Sequence, residues 1–452
     1  MNFSEGERYG SAELKRIYLE QSVYTALQER LEYIFREFEN IYISFSGGKD
    51  SGLLLNLLMD YKREHYPDRR IGLFHMDFEA QYTVTTEYVT RTFEKYARET
   101  EPYWICLPMA VRTALSSYEM YWYPWDDTKP ECWVRPMPQN PYVVNIDRPF
   151  KYYRYRMNQE DLAKQFGRYY REKHHQGKTI CLLGVRAEES INRYSGFLNK
   201  KHGFEGKCWI SRLFKDVWCA SPIYDWTLSD VWHANYCFGY DYNKIYDLYY
   251  MAGLRPFQMR VASPFNDYSK ENLNLYRVID PVIWTKLLGR VCGANFTAIY
   301  GKTRAMGYRG IRLPDGYDWK SYTKFLLDTL PENLRNNYVK KFNTSIRFWR
   351  YTGGGLSEET INELREKGYR IALNGYSNYT VKRKYRVRFL GKLPDNTDDI
   401  KSTKDIPSWK RMCYCILKND HNCRHMGFGL SRTAQRRVNL LKEYYRGILN
   451  EE

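Results

Sequence analysis

Six consecutive residues, Ser46-Gly47-Gly48-Lys49-Asp50-Ser51, hold the groups needed to grip a polyphosphate. Two glycines can take positive φ and let the backbone approach a ligand closely. Their N–H groups, with those opening a following helix, form a concave donor surface for phosphate oxygens. Ser46 and Ser51 add hydroxyl donors, and Lys49 adds a mobile point charge. Asp50 can fix the loop or help hold Mg²⁺, which favours carboxylate and phosphate oxygens. The spacing is not the Walker pattern G-x-x-x-x-G-K-[ST].

Further along the chain, other polar residues end apolar runs. Asp77 and Glu79 follow Ile71–Met76. Asp77 is expected level with the loop, where it would coordinate Mg²⁺, bond a ribose or cap the next helix. Arg186 ends the run Thr179–Val185, with Glu188, Glu189 and Arg193 within two turns. Arg186 and Arg193 are read as an anion grip, with ion pairs to the adjacent glutamates as the structural alternative. Cys413, Cys415, His421, Cys423 and His425 are crowded together, but their spacing fits no standard zinc finger. Buried cysteines with surface histidines are expected there. Zinc at Cys413, Cys415, Cys423 and His425 is not.

These groups need a scaffold. Ile41–Phe45 reads as a buried strand, and Leu53–Leu58 opens a helix packed on a sheet. Ile71–Phe78, Pro102–Leu107 and Thr179–Val185 read as further strands, and 83–98 and 158–173 as helices. The alternation predicts an α/β fold with a parallel sheet. An amphipathic leader precedes it at 12–39. Residues 109–157 are rich in Trp, Tyr and Pro and read as an insertion with its own structure or a lid. Ala220–Tyr224 reads as a short strand, with Thr227 and Asp230 opening a capped helix. Thr352–Leu356 reads as a turn or linker, 357–368 as a helix ending at Gly368, 378–390 as a basic strand and 432–446 as a basic helix.

The stretches S-F-S-G-G-K-D-S (44–51), L-F-H-M-D (73–77), G-V-R-A-E-E-S (184–190) and S-P-I-Y-D-W-T-L-S-D-V-W (221–232) occur in this order. Together they resemble the phosphoadenosine phosphosulfate (PAPS) reductase family within the PP-loop ATP pyrophosphatase superfamily, and its relative, the small subunit of sulfate adenylyltransferase. Y-N-K-I-Y-D-L-Y-Y-M-A-G-L (242–254), Q-M-R-V-A-S-P-F (258–265) and P-S-W-K-R-M-C-Y-C-I-L-K-N-D (407–420) resemble the branch typified by the immunoglobulin-binding regulator A protein. The resemblance implies a Rossmann-like (HUP) domain of the adenine nucleotide alpha-hydrolase type, with an α-rich or α+β C-terminal extension. It implies ATP and Mg²⁺ as cofactors, with adenine near His75 and Met76. It assigns the phosphate loop to Ser46, Gly47, Gly48, Lys49, Asp50 and Ser51, an acidic position to Asp77 and an anion-binding Arg to Arg186. Catalytic roles fall to Lys49, Asp50 and Arg186, and the candidate Mg²⁺ ligands are Asp50 and Asp77. A ParB-like protein is the partner the branch implies. The reductases' E-C-G-L-H motif and a cysteine set for an iron–sulfur cluster are absent, so thiol-dependent PAPS reduction is not expected.

The chain of 452 residues suggests several units. We divide it into a leader (1–40), a nucleotide-binding domain (41–240), a helical extension (241–330) and a basic C-terminal domain (331–452). The last carries 25 Lys+Arg against 13 Asp+Glu, most of the net +17. Clusters at Lys382-Arg383-Lys384 and at Arg432, Arg436 and Arg437 suit a nucleic-acid footprint, a solvated face or an acidic partner. The scattered cysteines, the lack of a long apolar run and the N-terminal composition point to a cytoplasmic protein with free thiols. Two functions follow: an ATP-cleaving adenylyltransferase acting on sulfate or a nucleic-acid atom, or a nucleotide-sensing regulator on DNA. RNA thiolation is a weaker third, because no suitable cysteine set is evident.

Overall fold

Helix α1 (Val23–Glu37) starts where the Ser22 hydroxyl accepts the Thr25 N–H, and it buries Leu27, Leu31, Ile34 and Phe35 along one stripe. Of the helix or helix pair expected at 12–39, the described residues hold this one helix, which begins at Val23. The computed structural model describes residues 19–116, 118–198, 203–266, 272–294, 313–376, 384–398, 400, 406–426 and 428. The start of the expected leader, most of the Lys382-Arg383-Lys384 cluster and the basic 432–446 segment lie outside them.

The chain then alternates: β1 (Asn40–Ser44), α2 (Lys49–His65), β2 (Ile71–Met76), α3 (Thr83–Tyr96), β3 (Thr100–Ile105). These strands are parallel, with Tyr42 opposite Gly72 and Leu73 opposite Pro102. In the insertion, β4 (Val111–Arg112) and β5 (Tyr121–Trp122) pair as an antiparallel ladder, and β6 (Val143–Val144) joins the sheet beside β3. The chain continues through α4 (Gln159–Lys173), β7 (Thr179–Leu183), α5 (Ile191–Leu198), β8 (Gly203–Phe204), β9 (Lys207–Phe214), β10 (Val217–Ala220), α6 (Leu228–Cys237) and α7 (Ile245–Met251). The eight-stranded sheet has the order β6-β3-β2-β1-β7-β10-β9-β8. It is mixed: β9 and β8 run antiparallel at one edge. The strand expected at 220–224 ends at Ala220, and Ser221 begins a turn whose carbonyl accepts the Tyr224 N–H. Thr227 and Asp230 form the capping box that opens α6.

Period-two alternation divides the strands between two cores. Ile41 and Ile43 face a layer built by α1, α2, α3 and α6. Tyr42, Phe74, Tyr103 and Cys181 face a second layer, which contains α4, the insertion, α7, α8 (Leu275–Ile279) and α9 (Pro281–Arg290). The second layer brings α7 and Asn243, just before it, against the loop that follows β1.

A third core holds α10 (Trp319–Thr329), α11 (Glu332–Arg347), β11 (Gly354–Leu356), α12 (Glu358–Glu366), β12 (Ile371–Tyr376), β13 (Tyr385–Phe389) and α13 (Trp409–Leu417). Here, within the turn or linker expected at 352–356, Gly354–Leu356 form a strand in the antiparallel sheet β11-β13-β12. Its glycine content reflects contact rather than flexibility, since a Cβ on Gly354 would fall 2.2 Å from the Trp349 ring. Among the described residues, no helix is long and apolar enough to cross a membrane.

Candidate functional site at the sheet switch point

The sheet runs from β1 through β2 to β3 in one direction, then from β7 to β10 in the other. Neighbouring loops diverge where strand order reverses, leaving a crevice outside the carboxyl ends. The loop after β1 is 46–51, and the loop after β7 starts at Gly184. They meet closely: a Cβ on Gly184 would lie 2.6 Å from Ser51 N and 2.7 Å from Asp50 C. Only glycine permits that approach.

This contact brings Lys49, Asp50 and Arg186 together. Arg186 Nε donates to Asp50 Oδ1 at 2.6 Å, and Lys49 Nζ donates to Asp50 Oδ2 at 2.8 Å. All three are buried, with Arg186 3% exposed. Burial pulls the Arg186 guanidinium down, but the Asp50 charge and the Glu189 and Glu188 carboxylates outweigh it and hold it above its ordinary value. Arg186 Nη1 also donates to Glu188 at 3.0 Å, so it both grips Asp50 and pairs with a neighbouring glutamate. Arg193 is exposed and pairs with Glu189, whose Oε1 also accepts the Arg186 N–H at 3.0 Å, so it reaches the cluster only through that carboxylate.

The loop is braced from within. Ser46 Oγ lies 2.9 Å from Ser51 Oγ and accepts the Gly48 N–H at 3.3 Å. Gly47 sits at φ +76, a conformation open to glycine. Two residues of the extension that sequence reasoning did not assign a role complete the brace. Asn243 Nδ2 donates to Gly47 O at 2.9 Å. The Tyr246 hydroxyl accepts the Lys49 N–H at 3.1 Å, and its ring lies 5.4 Å from Lys49 Nζ. Their only sequence-level signal is a motif distant in the chain, which carries no hint of contact.

Beside the loop, Ser46, His75, Met76 and Asp77 line a small cleft of about 60 Å³, together with Val261 and Ala262. Asp77 does not open into it as a free ligand. Arg135 Nη2 donates to both its oxygens, at 2.6 and 2.5 Å, and Trp104 Nε1 donates at 2.6 Å. Burial pushes the Asp77 carboxyl up, but the Arg135 guanidinium, His75 and these hydrogen bonds more than reverse it. Neither helix capping nor an open metal ligand describes Asp77; the residue that accepts the Thr83 N–H is Asp280. Both Asp50 oxygens also already face cations. Magnesium would have to displace those partners, so the carboxylates as arranged do not fit the proposed metal site. Among the described residues, no group of three His, Cys, Asp or Glu side chains is arranged to hold a metal ion.

Glu79, fully buried at φ +63, ties the insertion to the sheet. It accepts the Trp125 N–H at 2.7 Å, the Val134 N–H at 2.8 Å and a bidentate pair from Arg290 at 2.8 and 2.9 Å. The insertion thus supports the cleft by self-packing around two buried carboxylates.

His75 gives a pH prediction. Its Nδ1 bonds Phe45 O at 2.8 Å, so that nitrogen carries the proton. Burial lowers its pKa, and Asp77 only partly restores it. A histidine held neutral in the fold gives stability that is full above the ordinary value of about 6.5 and is lost as pH falls through the depressed one. Unfolding in urea at pH 7.5 and 5.5 should show a loss of stability in the natural chain and a smaller loss in His75→Gln.

In the cysteine–histidine cluster, Cys415 and Cys423 pack into the third core. Cys413 and Cys415 are buried on α13 and Cys423 just beyond it. Contrary to expectation His421 is buried, because it joins two parts of the chain: its ring bonds the Tyr338 hydroxyl and Ser116 O, each at 3.0 Å. His425 bonds Asp420 at 3.2 Å.

Comparison with known proteins finds family matches over two successive stretches of the chain. The family model described as phosphoadenosine phosphosulfate reductase domain matches residues 40–252. A second, described as domain of unknown function (DUF3440), matches 253–437. The uncharacterized protein YbdN of Escherichia coli (strain K12) is 29% identical over 430 residues, covering 92% of this chain and 93% of that protein. Among solved structures, FMN adenylyltransferase of Candida glabrata with FMN and the ATP analogue AMPCPP is 13% identical, with a TM-score of 0.30 over 52% of this chain and 65% of that one. The PAPS reductase of Candida auris in its phosphate complex is 14% identical, with a TM-score of 0.29 over 52% of this chain and 87% of that one. The loop at the switch point and the cluster it forms with Arg186 both fall within residues 40–252, the part of the chain that is similar to the phosphoadenosine phosphosulfate reductase domain.

Proposed function

We propose that this chain binds ATP on the 46–51 loop and cleaves it between the α- and β-phosphates, adenylylating an acceptor. The supporting observation is the triad of Lys49, Asp50 and Arg186, two buried cations held by one carboxylate where the strand order reverses. An incoming triphosphate competes with Asp50 for Lys49 and Arg186. Both cations then face the charge that builds on the α-phosphate and on departing pyrophosphate. No protein nucleophile is required, because the acceptor attacks phosphorus directly. Lys49→Ala should lower pyrophosphate release by roughly 10²–10³-fold, the usual cost of losing one preorganised charge donor. A colorimetric pyrophosphate assay with ATP reads this, and unchanged release in the variant would sink the assignment.

A second reading draws on the closed state of the site. The Tyr246 hydroxyl already bonds the Lys49 N–H, and Val261 and Ala262 wall the cleft. A nucleotide-sensing regulator acting with a ParB-like partner on DNA would bind ATP in such a site without turning it over. The same assay separates the two, because calorimetric ATP binding with no pyrophosphate, with or without DNA, favours the regulator.

A further inference from the structure

An α-helix leaves its first N–H groups without an intrahelical acceptor. In α2 the Gly52 N–H bonds Gly48 O at 2.9 Å, which leaves those of Lys49, Asp50 and Ser51. The Lys49 N–H goes to the Tyr246 hydroxyl at 3.1 Å. That hydroxyl also stands over Gly48, where an added Cβ would lie 3.4 Å from it. It therefore forms part of the wall of the 46–51 loop, although it comes from α7.

Half of this hydroxyl's hydrogen-bonding capacity is unused. A phenol both accepts and donates. Tyr246 accepts from Lys49, but its own proton has no acceptor among the described residues. The residue is only 4% exposed, and buried donors are as a rule paired. Burial and the nearby Asp50 carboxylate push the phenol well above its ordinary value, so the proton stays on. Accepting an N–H at the positive end of a helix polarises the O–H and strengthens it as a donor. The ring is wedged in place. Trp232 and Tyr249 meet it edge-on at centroid distances of 5.5 and 6.3 Å. Asn243 accepts the Ile245 N–H at 3.1 Å and ties the same turn to Gly47 O.

We propose that the Tyr246 hydroxyl is a phosphate-binding donor that α7 contributes to the loop, taking an oxygen of the nucleotide's phosphate chain while it still accepts the Lys49 N–H. The proposal deepens the ATP-binding reading above and rests on it. A phosphate oxygen supplies what this buried group lacks, an acceptor carrying negative charge. It does so beside the N–H groups that open α2, where negative charge is favoured.

Calorimetry on the full chain with ATP and with inorganic triphosphate tests this. Tyr246→Phe removes the hydroxyl and keeps the ring beside Lys49. Affinity for both ligands should fall at least tenfold, about the lower end for a hydrogen bond to a charged group. Without ligand, hydrogen exchange in the variant should quicken at the Lys49 amide and match the natural chain at the other amides of 47–51, because the loop keeps its shape. Unchanged affinity makes the hydroxyl a brace alone, and raised affinity makes it a competitor of the phosphate; either overturns the proposal. So does a loss of affinity with faster exchange across the whole loop, or a loss for ATP but not for triphosphate. In all of these the natural chain still binds ATP and the reading above stands. Absence of ATP binding in the natural chain removes that reading and this one together.

Discussion

Glu79→Ala is expected to cost about 3–5 kcal/mol, the usual penalty for removing one partner of a buried ion pair. The side chain is fully buried, and the substitution strands the Arg290 guanidinium, itself largely buried, without its charge partner. It also leaves the Trp125 and Val134 N–H groups without their acceptor. Unpaired buried donors each cost about 1–3 kcal/mol, and these penalties overlap rather than add. The damage should be local first. Residues 123–136 lose their side-chain anchor to the end of β2, while Arg135 keeps its bonds to the residue 79 carbonyl and to Asp77. Hydrogen exchange of the Trp125 and Val134 amides reads the effect directly, with a lowered thermal midpoint alongside. Glu79→Gln preserves shape and one acceptor but not the charge, so it should fall between. Protected amides in the alanine variant would show that packing alone holds the insertion.

Gly184→Ala is expected to weaken ATP binding at least tenfold and to destabilise the fold by about 1–3 kcal/mol, the range for overpacking a filled site. The obstacle is backbone: Ser51 N at 2.6 Å, Asp50 C and Ser51 Cα at 2.7 Å. No rotamer change relieves such a contact. The two loops must separate, and Arg186 is drawn away from Asp50. Gly196→Ala is the control, because nothing lies within 4 Å of the added carbon. Calorimetry with ATP and a thermal melt on both variants measure the difference. Equal affinity in the two would mean that loop spacing at the switch point does not govern the nucleotide site.

Local chemistry wrote much of this protein legibly. A strand stopping at two glycines, followed by Lys, Asp and a leucine-rich helix, is a short-range pattern, and β1, the loop and α2 appear where it places them. Period-two and helical spacing likewise located β2, α3, β3, α4 and β7 within a few residues. The capping box at Thr227 and the left-handed Gly368 were readable for the same reason: each is decided by residues within one turn of chain.

The partners of the charged residues were not readable, because they lie far away in sequence. Asp77 resembles an exposed ligand until Arg135, from the insertion, folds onto it. Asn243 and Tyr246 reach the loop across almost 200 positions. The β11 glycines suggested a linker, since contact with Trp349 leaves no local signature. The sequence by itself determined which groups could meet a polyphosphate and the strand and helix that present them, because backbone periodicity and turn chemistry act over a few residues. Only the tertiary structure decided which charges are already spent and which distant residues brace the loop, because a buried charge takes its partner from whatever the fold brings within about 3 Å.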